Sequence, residues 1–149
     1  MKKTAEWWEF YADMLDLPDG QWQQRLQACA EACSNSYSLH LYRQCAKKAV
    51  SIEDFFMALA EAFADMEVNK LSEGRYEVCY RACGCDFYRQ KLCNDPRLCM
   101  CSKKSMEYNL SDIFGKENIL VELKESILAG REKCRFLVLV NEGTENRWT

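Results

Sequence analysis

Cys134-Arg135-Phe136-Leu137-Val138-Leu139-Val140 decides how this chain folds, together with the run Ile119 to Leu128 and the break Ala129-Gly130-Arg131-Glu132 before it. Successive side chains on a strand point to opposite faces, so Cys134, Phe136, Val138 and Val140 share one apolar face. The two runs, 119–128 and 134–140, therefore read as an antiparallel hairpin. A sheet with one apolar face has to be covered by something. Earlier in the chain, Arg75 to Cys83 alternates apolar with charged residues and predicts a third strand after Ser72-Glu73-Gly74. Between that strand and the hairpin, Asp95-Pro96 signals a helix start. Cys99, Met106, Leu110 and Ile113 then form a helical stripe that ends at Gly115.

The N-terminal half reads as helix throughout. Trp7, Tyr11 and Leu15 recur at helical spacing until Pro18-Asp19-Gly20 ends the segment, and Trp22, Leu26, Cys29 and Cys33 continue until Ser34-Asn35-Ser36 breaks it. A third helix over 38–49 carries Leu39, Tyr42, Ala46 and Ala49 on one face. Ser51, with Asp54 three positions on, resembles a capping box for a fourth. The stripe of that fourth helix is Ile52, Phe55, Phe56, Leu59, Phe63 and Met66. The expected class is α+β: a helical half (1–70) packed on a small antiparallel sheet, then a Cys-rich strand-loop-helix and hairpin (75–140), in one domain. At 149 residues the chain is too short for two independent cores.

Composition narrows the function classes. Hydrophobic residues make up 48% and charged ones 29%, with only 6 Gly and 2 Pro, which excludes disordered and low-complexity classes. A net charge of -3 gives no basic field for nucleic acid. The start of the chain runs into acids where an export signal would be apolar, and no 18-residue apolar window occurs, so a cytoplasmic protein without a membrane span is expected. No phosphate-binding Gly loop, Gly-x-Ser-x-Gly elbow or His-Glu-x-x-His helix is present. His40 is the only histidine and reads as a surface residue. The Trp7-Trp8 and Phe55-Phe56 pairs read as core or oligomer contacts, which leaves a homodimer open.

Ten cysteines are the unusual feature, and six lie in one window: Cys79, Cys83, Cys85, Cys93, Cys99 and Cys101. In a reducing cytoplasm such thiols are metal ligands, reactive groups or small core residues rather than disulfides. Cys83-Gly84-Cys85 puts two sulfurs on one side of an extended backbone, and Cys93 and Cys99 flank the helix start. If the helix includes Cys99, Cys101 lies about 200° around its axis, so only one of the two could join a shared site. Between Arg75 and Lys104 there are seven basic and three acidic residues, a local excess that favours thiolates. The candidate ligands are Cys83, Cys85, Cys93, Cys99 and Cys101, for zinc or alternatively an iron–sulfur cluster. Cys29, Cys33 and Cys45 read as core residues.

The stretch with Phe114-Gly115, Ile119-Leu120-Val121-Glu122 and Gly130-Arg131-Glu132-Lys133-Cys134-Arg135-Phe136 resembles the small-molecule-binding domains grouped with 4-vinyl reductases and hydrocarbon-binding proteins. Its Gly-x-x-x-Cys-Arg-Phe ending is also similar to that of bacterial aminothiazoline-carboxylate hydrolase-like proteins. The resemblance implies helices over one face of an antiparallel sheet and a mostly apolar pocket between them, with Cys134 as the family-position cysteine. Phe55, Leu59, Phe63, Met106, Leu110, Cys134, Phe136 and Val138 are the expected lining, and a small apolar molecule the expected partner. Three functions fit: a metal-containing binding or sensor protein, a thiol- or zinc-dependent hydrolase of a carbon–nitrogen or carbon–sulfur bond using Cys85 or Cys134, and an interaction module with a closed metal site.

Overall fold

Residues 17–82 and 99–144 are described by a computed structural model. Helix α1 (Asp19–Cys33) starts where the sequence suggests a stop. Pro18 is its N-cap, and its carbonyl accepts from the amides of Gln21 (2.9 Å) and Trp22 (3.1 Å). A proline is tolerated there because the first turn has no internal use for its missing N–H. The expected break at Ser34-Asn35-Ser36 is also absent: the helix passes through a π turn (Ser34–Ser38) into α2 (Leu39–Lys48). Serine hydroxyls usually compete with the helix by bonding their own backbone. Here Ser34, wholly buried, bonds the Ser105 hydroxyl instead, and Ser38 accepts from Asn109 Nδ2 at 3.0 Å.

Helix α3 (Ile52–Ala62) begins at the expected cap, the Asp54 amide donating to Ser51 Oγ at 3.0 Å. Asp54 reaches back to the Val50 amide (3.0 Å), one residue short of the usual capping-box partner. The helix stops sooner than its stripe suggests. Phe63 is its C-cap with extended backbone, and Met66 opens a strand, β1 (Met66–Ser72), inside the part expected to be helical. Met66 misleads because it stands at helical spacing from Phe63.

The remaining elements are β2 (Arg75–Tyr80), α4 (Cys99–Phe114), β3 (Ile119–Glu125) and β4 (Cys134–Val140). The four strands form an antiparallel sheet in the order β1-β2-β4-β3. The fold is α+β, as expected, with the C-terminal hairpin intact. β3 ends at Glu125 rather than Leu128, because a bulge after Leu123 and a 3-10 turn (Ile127–Ala129) redirect the chain. Gly74 turns the β1–β2 hairpin at φ 73°, and a Cβ there would stand 2.6 Å from the Val140 carbonyl. No helix among the described residues is long and apolar enough to cross a membrane.

Cys134, Phe136, Val138 and Val140 are all buried on the covered face of β4. Their neighbours on β2 are Tyr80 opposite Cys134, Val78 opposite Phe136 and Tyr76 opposite Val138. Helices α2, α3 and α4 complete the same core. Helix α4 lies beside α1 and α2. Ser34 meets Ser105, Ser38 meets Asn109, and Arg43 forms a two-pronged ion pair with Asp112 (2.9 Å for each bond). The paired numbers rise together, so α4 runs parallel to the α1–α2 rod.

Candidate functional site

The core has two chemically different ends. At one, Phe56 stacks on Tyr76 (4.2 Å between centroids) and lies near parallel to Phe114 (6.3 Å), with Phe55 edge-on to Phe114. Val138 and Val121 close this end, and both are almost wholly buried. At the other, polar atoms converge in an otherwise apolar interior. Tyr80 points inward from the end of β2, edge-on to Phe136, and sits across the ladder from Cys134. Its hydroxyl is hydrogen-bonded to that of Tyr42, on α2. Tyr42 also lies beside Asn109, from α4, and is edge-on to Phe55 and Phe63. Burial pushes the Tyr80 phenol up to about 12. Burial, then the neighbouring Tyr80, raises Tyr42 well above its ordinary value. Both stay neutral at physiological pH and present hydroxyls rather than phenolates.

Asn109 is the focus of this end. It is 1% exposed; its Nδ2 donates to Ser38, but its Oδ1 accepts no hydrogen bond among the described residues. A buried acceptor left without a donor costs about 1–3 kcal/mol, so such an atom calls for a specific cause.

Two thiols border the same end. Cys99, the first residue of α4, accepts from Ser126 Oγ at 2.7 Å, and Cys134 Sγ accepts from the Ile127 amide at 3.4 Å. One short segment, Ser126-Ile127, thus donates to both sulfurs.

Of the five expected metal ligands, Cys83, Cys85 and Cys93 lie outside the described residues, as does the Asp95-Pro96 helix start. Cys99 and Cys101 are both buried and diverge: Cys99 faces Ser126 on the sheet side, whereas Cys101 is hydrogen-bonded to Cys29 on α1. Their sulfurs thus meet different partners. Among the described residues no group of three or more His, Cys, Asp or Glu side chains is placed to hold a metal. Cys79 opens the cysteine-rich window but remains a thiol, since burial and the adjacent Glu77 carboxylate raise it and it donates to Glu77 Oε1 at 3.6 Å. Of the other expected core cysteines, Cys29 and Cys45 are buried, but Cys33 is exposed.

All eight expected lining residues belong to the one core, with Phe63 half-buried at its margin. They divide between the two ends: Val138 stands with the stacked rings, Cys134 with the polar groups, and Phe136 between them. Tyr42, Tyr80, Asn109 and Ser126 are site residues that the sequence reading did not select. The available signal was Asn109, an amide between Met106 and Leu110 on a helix face that is otherwise apolar. His40 is exposed and pairs with Gln44 at 3.0 Å.

A separate cleft of about 230 Å³ lies between the start of α3 and the β1–β2 turn, lined in part by Ser51, Glu53, Glu73 and Glu142. Lys70 already bridges Glu53 (3.5 Å) and Glu73 (2.8 Å) there.

Comparison of the chain with family models, with curated proteins and with solved structures gives no match.

Proposed function

We propose that this chain is a binding or sensor protein for a small, neutral, mostly apolar molecule, held between the helices and the sheet at the polar end of the core. The observation that carries this reading is Asn109 Oδ1, a buried acceptor without a donor, beside two neutral phenols and three aromatic walls, Phe55, Phe63 and Phe136. An apolar site with a few convergent polar groups is the usual form of a small-molecule pocket. The ligand would carry one O–H or N–H donor for Asn109 Oδ1, and half-buried Phe63 marks the side on which it enters. The resemblance to hydrocarbon-binding domains points the same way.

Phenol is a suitable probe, since it offers one ring and one donor, and toluene is its control. In nuclear magnetic resonance titrations, phenol should shift the Asn109 side-chain amide and the Phe63 ring, whereas toluene should shift Phe63 but leave the amide nearly unmoved. If neither signal responds to phenol, this reading is wrong.

Hydrolysis by Cys134 is the second reading, favoured by the Ile127 amide that donates to its sulfur. It needs a base to take the thiol proton, and the adjacent Tyr80, neutral up to about 12, cannot serve at neutral pH.

For the cysteine-rich segment we propose zinc, or alternatively an iron–sulfur cluster, on Cys83, Cys85 and Cys93, with Cys99 as the ligand from α4. Cys101, turned to Cys29, is left out of the set. Spacing and local positive charge support this, as does a reducing, cytoplasmic setting in which thiols persist. Protein purified without oxygen should carry close to one equivalent of metal by elemental analysis. Removing it should lower the melting temperature, since binding energy at such a site is folding energy. Metal-free protein that melts at the same temperature would exclude the site.

A further inference from the structure

Cys29 and Cys101 lie side by side across the α1–α4 interface, and no role assigned above uses that pair. Cys29 is on the face of α1 that packs on α4 and is 2% exposed; Cys101, in the first turn of α4, is 8% exposed. Their meeting follows from the parallel register of the two helices. Ser34 bonds Ser105, and one turn back along each helix brings Cys29 opposite Cys101. The same packing is pinned further on by Ser38 with Asn109 and Arg43 with Asp112, so the approach of the sulfurs is built into the helix pair.

We infer that Cys29 and Cys101 form a reversible disulfide that cross-links α1 to α4 on exposure to a low-molecular-weight disulfide oxidant. The exchange starts at Cys29 once its thiol has given a proton to water. Its thiolate attacks one sulfur of the oxidant, the S–S bond breaks, and one small thiolate leaves with the electron pair and takes up a proton. Cys101, deprotonated in turn, attacks the Cys29 sulfur of the mixed disulfide and displaces the second small thiolate, which is also protonated. Two electrons pass from the cysteine pair to the oxidant, and two small thiols are released. With both sulfurs nearly inaccessible in the closed protein, the first step waits on a local opening of α1 from α4. The link then bears on ligand binding, because α4 carries Asn109 two turns beyond Cys101.

The test uses the full chain, incubated natively with oxidised glutathione, quenched with acid and alkylated. Trypsin leaves Cys29 and Cys33 together in peptide 26–43, and Cys99 and Cys101 together in peptide 98–103. Further cleavage after Glu31 and after Met100 separates each pair. The expected product is a monomer lighter by two hydrogens in which the link joins Cys29 to Cys101, with a higher melting temperature that dithiothreitol reverses. The same link should form in Cys33→Ser, whose side chain is exposed. A link that maps to Cys33 or Cys99, or oxidation that yields only glutathione adducts or intermolecular dimers, would overturn the assignment. Because the mapping is made on the unaltered protein, it does not depend on whether a Cys29 or Cys101 variant folds.

Discussion

Phe136→Ala should destabilise the protein by about 3–5 kcal/mol, the range for truncating a fully buried phenylalanine. Phe136 is 0% exposed on β4, with Val78 and Leu123 as cross-strand neighbours, and its ring meets Tyr80 edge-on at 6.0 Å. It separates the stacked rings from the polar groups, so its loss opens a cavity that neither end can readily fill. Leu120→Ala, at a position 50% exposed on edge strand β3, should change stability little. Urea unfolding midpoints of the two variants check this. Equal midpoints would mean that the covered face of the sheet has been assigned to the wrong side.

That face was legible in the sequence because strand alternation has a period of two and Cys134 to Val140 keeps it without interruption. The cap at Ser51 was legible for a similar reason: a hydroxyl and a carboxylate at fixed spacing have a local geometric purpose. What escaped depends on partners distant in the chain. Ser34 looks like a helix breaker until Ser105, 71 residues on, takes its hydroxyl. Met66 reads as helix until its pairing with Tyr80 makes it strand. Cys101 looks like part of a ligand cluster with its sequence neighbours, yet it is hydrogen-bonded to Cys29 across a helix interface. The candidate site escaped for the same reason, since Tyr42, Tyr80 and Asn109 come from three separate elements and no short motif joins them. That the expected lining residues belong to the core was legible because every member lies on a periodic apolar face; the polar groups among them were not.

Asn109 gives the second large effect. Leucine has the branched shape of asparagine with bulkier ends, which the space assigned to the ligand can take up, and Asn109→Leu removes both the bond to Ser38 and the unpartnered Oδ1. Losing the bond costs about 0.5–1.5 kcal/mol, whereas removing a buried unpaired acceptor recovers about 1–3 kcal/mol. Without ligand, then, the variant should lie within about 0.5 kcal/mol of the wild type or above it. Binding should suffer, because the phenol hydroxyl would enter the core with no acceptor. That loss, again about 1–3 kcal/mol, corresponds to about a 5- to 150-fold weaker dissociation constant. Urea unfolding of the wild type and Asn109→Leu, each with and without phenol, measures both effects together. The account predicts that phenol raises the wild-type midpoint and barely moves that of a variant about as stable or more stable alone; a variant less stable by about 2 kcal/mol, more than the lost bond alone costs, with phenol shifting both proteins alike or neither, would contradict it.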